Sequence, residues 1–174
     1  VVVQYTASMI LLCGTLIVFA QLNYMRRQSL GVRTDRILVV KFPGPTEGMK
    51  IKMEAMRKAI RKLPLVSKVT CSGSVPGEEV AMFLSNRRTH DALKQNRLYE
   101  MLSCDPDYMD AYGLELVAGR GFSEDYGDDV NKLVINETAA RTLGYTDYES
   151  VIGEEISVET IEEPMQVIGV VKDY

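Results

Sequence analysis

The sequence has no charged side chain between Val1 and Leu22, only one histidine, three cysteines, and no GxxxxGK[ST] loop anywhere. Each absence closes off a class of function. Without a Gly-rich loop and its Lys between a strand and a helix, nothing cradles nucleotide phosphates in the P-loop manner, so any ATP hydrolysis belongs to another domain or subunit. Ser/His/Asp catalysis needs a His to take the serine proton. The one candidate, His90, lies in the polar tract SNRRTHDALKQN beside Arg87, Arg88 and Asp91 and reads as a surface residue. Cys13 falls in the charge-free stretch, and Cys71 and Cys104 show neither the CxxC nor the Cys/His spacing of a zinc site. An oxidising compartment would allow those two to pair, and the sequence leaves that open. Basic residues are not interleaved with aromatics and the net charge is −4, which argues against a nucleic-acid partner.

The charge-free stretch is itself informative. VVVQYTASMILLCGTLIVFA matches the ~20 apolar residues a helix needs to cross ~30 Å of hydrocarbon, and it lacks the basic start and small-residue cleavage site of a secretory signal. It reads as a transmembrane helix over residues 1–22, with a buried core helix or an uncleaved signal as competing readings. The absence of an initiator Met and the abrupt stop after GVVKDY suggest a piece of a longer protein.

Charge is distributed unevenly beyond that helix. Residues 25–62 hold 11 basic and 3 acidic side chains, whereas residues 105–174 hold 4 basic and 17 acidic. The basic part adjoins the membrane segment, so it either lies against anionic headgroups or forms an ordinary solvated face.

Periodicity then divides the chain. Residues 23–36 form a juxtamembrane linker. ILVVKF (Ile37–Phe42) predicts a short strand closed by the turn residues PGPTEG. Met49, Met53, Met56, Ile60 and Leu63 recur at helical spacing opposite a row of Lys and Arg, which predicts an amphipathic helix ended by Pro64. With no His or Cys beside it, this methionine stripe is core packing and no soft-metal site. Val66–Ser72 predicts the next strand, completing a β-α-β unit. Residues 75–96 leave that lobe through Pro76-Gly77, and Arg97–Cys104 returns to it as a strand. Asp105 is then expected to cap a short helix with Pro106 at its first position, ended by Gly113. Lys132–Ile135 predicts a strand, Asn136 a cap for the helix ETAARTL that Gly144 can end in a left-handed conformation, and Glu155–Glu159 with Met165–Val171 an antiparallel pair. SEDYGDD (Ser123–Asp129) lacks the D-x-[DN]-x-[DN]-G order and closing Glu of an EF-hand, so it reads as a solvated turn. Paired carboxylates for glycoside hydrolysis are set by distance in the fold and stay open in so acidic a sequence.

Several segments in order resemble one known family. AQLNYMRRQSLGVRTDRILVV after a membrane helix, SGSVPG at Ser72–Gly77, DPDYMDAYGLELVAGRGFSEDYG, LVINETAARTLGY, IGEEI and MQVIGVVKDY are similar to MacB/FtsX-type ABC transporter permeases, particularly those common in Bacteroidetes. The resemblance implies an α+β fold: a two-lobed periplasmic core domain over residues 37–174 with a β-α-β-containing lobe, in which residues 75–96 and part of 120–174 form the second lobe. It suggests the second ectodomain of a duplicated permease. It implies a non-enzymatic component, without catalytic, cofactor-binding or metal-binding residues, that couples hydrolysis by a separate ABC ATPase subunit to export or to mechanical signalling across the membrane. A permease dimer partner and a periplasmic adaptor or hydrolase are the further partners it implies, and the bacterial inner membrane with the domain in the periplasm is the implied location. Arg26, Arg27, Arg33 and Arg36 depart from this, since the positive-inside rule alone would hold that end in the cytoplasm. A membrane-anchored ligand-binding or sensor domain is the rival from the interaction class, and an anchored hydrolase the rival among enzymes.

Overall fold

A computed structural model describes residues 1–27, 31–42, 49–80, 82–89, 96–127 and 129–174, which fall into two units, Val1–Leu30 and Gly31–Tyr174. His90 and the turn at residues 43–48 lie outside the described residues.

The first unit is one helix, α1 (Val2–Arg27). Its 26 residues rise about 39 Å, and its Val2–Met25 portion is long and apolar enough to cross a bilayer, with none of that window buried. Thr6 and Thr15 return their hydroxyls to the carbonyls of Val2 and Leu11, so these two polar groups are satisfied within the helix.

The second unit is built on a six-stranded sheet. Its strands are β1 (Phe83–Arg88), β2 (Arg97–Glu100), β3 (Leu116–Gly119), β4 (Lys132–Asn136), β5 (Glu155–Val158) and β6 (Met165–Val171). The order is β2-β1-β5-β6-β3, every pair in it antiparallel, with β4 pairing in parallel along β6. The expected β5–β6 pair forms, Glu155 opposite Gln166 and Ile156 opposite Met165. Its simple alternation does not persist, because β6 has three partners and is buried on both faces, which a run of Val and Ile tolerates. Val167 and Val170 are fully buried with Val151 and Ala140, and Ala118, Tyr145 and Ile156 complete the core.

Helix α4 (Glu137–Thr142) covers this core as the local signals dictate: Asn136 Oδ1 accepts from the Ala139 N–H at 2.9 Å, and Gly144 takes a positive φ beyond the C-terminus. Asp173, at the end of β6, secures the first turn by accepting from the Thr138 N–H at 2.8 Å and its hydroxyl at 2.7 Å. Burial alone would raise the Asp173 pKa, but these bonds and Arg141 hold it below the ordinary carboxylate value.

The expected β-α-β unit is realised only as its helix, α2 (Met49–Arg61). Ile37–Phe42 forms no strand, and Val66–Ser72 makes a single bridge, Ser72 to Cys104. Both runs have the composition of strands, but that preference reports packing on a pleated surface and supplies no partner. Arg97–Cys104 also differs from expectation. Its first half pairs with β1 as β2, whereas Cys104 reaches back to Ser72. Residues 83–88, inside the segment expected to leave the first lobe, pair with β5 through Asn86–Val158, Arg87–Ser157 and Arg88–Ile156.

Candidate functional site

Three chain segments meet around the short helix α3 (Tyr108–Tyr112). The first is the linker: the Arg33 N–H donates to the Tyr112 carbonyl at 2.7 Å, and the Arg33 guanidinium lies over Gly113, where a Cβ would meet Nε at 2.5 Å. Gly113 has φ +65°, and as expected it ends the helix, so its left-handed conformation calls for glycine here. Arg33, Met109, Asp110, Gly113, Leu114 and Glu115 line an open cleft at this point. Gly31 packs against the final residues Asp173 and Tyr174, bringing the linker to the end of β6 as well.

The second segment is α2, joined by charge. Asp105 accepts from the Thr70 hydroxyl at 2.5 Å and the Cys71 N–H at 2.9 Å, and pairs with Arg57 at 3.2 Å. Arg57 also reaches Asp107 at 3.1 Å, where Arg61 joins it, and Lys68 pairs with Asp110. This corrects the expected cap. The N-cap of α3 is Asp107, without a side-chain capping bond, and Asp105 turns across the chain instead. Three donors, one of them a guanidinium, outcompete the single backbone N–H of a cap, and they come from residues 34 to 48 positions away, where no local signal reaches.

The third segment contains Cys71 and Cys104, both free thiols. Ser72 is the residue opposite Cys104, and successive residues of an extended chain face opposite sides, so Cys71 and Cys104 point away from each other. Burial and the neighbouring Asp105 push the Cys104 thiol up to about 11, and Cys71 is raised for the same two reasons against a partial offset from Arg57. Neither is a ready nucleophile. Tyr108 and Tyr112 pack with ring centres 4.8 Å apart and planes tilted by 51°, filling the interior beside them.

The acidic turn after β3 is held by one arginine. Arg120 grips Asp129 through two bonds of 2.9 and 2.8 Å, and its guanidinium lies 4.3 Å from the centre of the Tyr126 ring. Asp129 is thus consumed internally, and among the described residues no group of three His, Cys, Asp or Glu gathers to hold a metal ion. The Arg120 bonds, aided by the Ser123 N–H and opposed by burial, hold the Asp129 carboxyl at about 2 instead of 3.8. Because the folded-state value is the lower one, the stabilisation is complete above the unfolded value and fades as pH falls from about 4 to about 2. With the Asp129 side chain only 11% exposed it is worth ~2 kcal/mol at neutral pH. Arg120→Ala should remove that part of the acid sensitivity. Equal pH slopes for variant and wild type, in denaturation between pH 5 and 2, would refute this role.

The chain matches the family described as MacB-like periplasmic core domain over residues 7–174. It is similar to the crystal structure of the periplasmic region of MacB from Actinobacillus actinomycetemcomitans, with a TM-score of 0.51 at 21% identity, over 81% of this chain and 54% of that one. It is also similar to the extracellular domain of the noncanonic ABC-type transporter YknZ from Gram-positive bacteria, with a TM-score of 0.52 at 20% identity, over 68% of this chain and 56% of that one. No curated protein matches. Likeness of this degree establishes the fold, and the chain spans about half the length of these solved relatives.

Proposed function

This chain belongs to the family of MacB-like periplasmic core domains, which are parts of ABC-type transporter permeases, and we propose that it couples hydrolysis by a separate ABC ATPase to export or to mechanical signalling outside the membrane. The observation that carries this reading is the junction at α3. A displacement entering through the linker at Gly31 and Arg33 meets α3 and the end of β6 directly, and meets α2 through Asp105 and Asp107. Packed, hydrogen-bonded contacts transmit movement as connected bodies, the form a coupling domain needs. The domain itself is non-catalytic and lies on the extracytoplasmic side of a bacterial inner membrane. A second permease copy and a periplasmic adaptor or hydrolase are its further partners, and residues 75–96 with part of 120–174 form the outer lobe offered to them.

Topology is the first test. Leu98 is 68% exposed, and a Leu98→Cys variant of the complete permease, with its other cysteines replaced, should react with a membrane-impermeant maleimide in intact spheroplasts. Labelling that appears only after lysis would overturn the extracytoplasmic placement. The chain reconstituted alone should hydrolyse no ATP, while the complete permease should alter the turnover of its ATPase. Hydrolysis by the chain itself, lost on unfolding, would overturn the non-catalytic role.

A further inference from the structure

Helix α2 turns Met53, Met56, Arg57 and Ile60 inward and leaves Lys52, Glu54, Ala55, Lys58, Ala59, Arg61 and Lys62 in solvent. On the outward side Ile51, Ala55, Lys58 and Lys62 follow one another at intervals of four, three and four residues, along a single line of the helix surface. Ile51 is 76% exposed at one end of this line, and Leu63 and Leu65 are 53% and 98% exposed just beyond the other. The cations differ in what they already hold. Arg57 and Arg61 are engaged by Asp107, and Lys58 shares Glu54 at 3.1 Å in a pair whose two side chains are 74% and 61% exposed. Among the described residues Lys52 and Lys62 pair with no carboxylate. The cations that hold Asp107 thus build the domain, whereas the lysines of the outer face, with an exposed apolar residue near each end and alanines between, are left over.

A solvated helix explains lysines on the outside but not Ile51, Leu63 and Leu65 exposed around them. We propose that this outer face of α2 docks on the anionic headgroups of the membrane that α1 enters, an inference that rests on α1 spanning that membrane. Lysines on a flat face attract acidic lipid at close range. The small Ala55 and Ala59 let the helix approach the surface, and Ile51, Leu63 and Leu65 reach the boundary between headgroups and acyl chains. The exposed Lys58–Glu54 pair yields readily, because such pairs are weak in water. The unit that carries α2 begins at Gly31, four residues after α1 ends at Arg27, so a short stretch of chain ties it to the membrane that α1 enters.

The test uses the whole chain in lipid nanodiscs. A variant with Cys13, Cys71 and Cys104 replaced by alanine carries one environment-sensitive fluorophore at Ala55→Cys or, as a control, at Leu98→Cys on the exposed edge strand, and the discs carry a headgroup-level quencher. Discs half phosphatidylglycerol should quench the Ala55 site at least about twofold more than pure phosphatidylcholine discs. Half-molar salt, or the triple change Lys52→Gln, Lys58→Gln and Lys62→Gln, should abolish the difference. Millimolar inorganic phosphate should leave it intact. Equal quenching in the two lipids, a lipid dependence untouched by salt or by the lysine changes, loss of the difference in phosphate, or equal quenching at Leu98 would each overturn the docking while leaving α1 as a span. A chain that does not incorporate into discs overturns the span and the docking with it.

Discussion

Gly169→Ala is expected to destabilise the sheet by about 3 kcal/mol or more, since a backbone carbonyl has no rotamer to yield. Gly169 sits inside β6, where a Cβ would run into the Arg120 carbonyl oxygen and come within 3.3 Å of Leu116 Cδ1. Its partner in the register is Gly119 on β3, whose φ is +69° and whose own Cβ would meet the Ile168 carbonyl oxygen and, at 2.7 Å, Ile152 Cδ1. The two glycines sit opposite each other where β3 and β6 pair edge to edge, so Gly119→Ala should cost as much, and the double variant less than the two added together. Gly127→Ala is the control. It also has a positive φ, +86°, but open space around it, so only the backbone penalty of ~1 kcal/mol applies. Urea denaturation of the chain in detergent, followed by tyrosine fluorescence, compares the three. A midpoint for Gly169→Ala equal to that of Gly127→Ala would show that the close approach is not what the glycine serves.

Asp105→Ala should be nearly as damaging. Its side chain is 12% exposed and serves the Thr70 hydroxyl, the Cys71 N–H and Arg57 together. Removing it leaves two part-buried donors and a 23%-exposed guanidinium short of a partner, a loss of about 3 kcal/mol. Asp105→Asn keeps an acceptor of the same shape and should lose roughly half as much. The pair with Arg57 is separable by a double-mutant cycle, with a coupling energy on the order of 1–2 kcal/mol expected. If Asp105→Ala unfolds at the same denaturant concentration as wild type, the ionic cluster does not join α2 to α3 energetically. The consequence for coupling is direct: in the complete permease the variant should weaken transmission from α2 to α3 even where the fold survives.

These two residues also mark how far the sequence could be read. Gly113, Gly144 and the Asn136 cap were legible because each acts within a turn of its own helix. So was α2, whose methionine stripe faces inward at Met53 and Met56. Gly169 was visible as part of a familiar ending, but its reason, the crossing of Arg120, was not. Asp105 stood next to Pro106 in the pattern of a cap, and only the arrival of Arg57 and Thr70 from distant sequence explains why it serves elsewhere. Strand β3 carried no alternation of its own over its four residues and was missed.

What the sequence determined by itself is what local free energy can fix: an apolar helix long enough for a bilayer, an amphipathic helix with one buried stripe, and caps and turns where Asn and Gly lower the cost of a backbone shape. Tertiary structure alone decided which apolar runs become strands. ILVVKF and the buried MQVIGVV are similarly rich in β-branched residues, yet only the second pairs, because a strand is stabilised by hydrogen bonds and side-chain contacts with partners far along the chain, and composition cannot say whether those partners arrive.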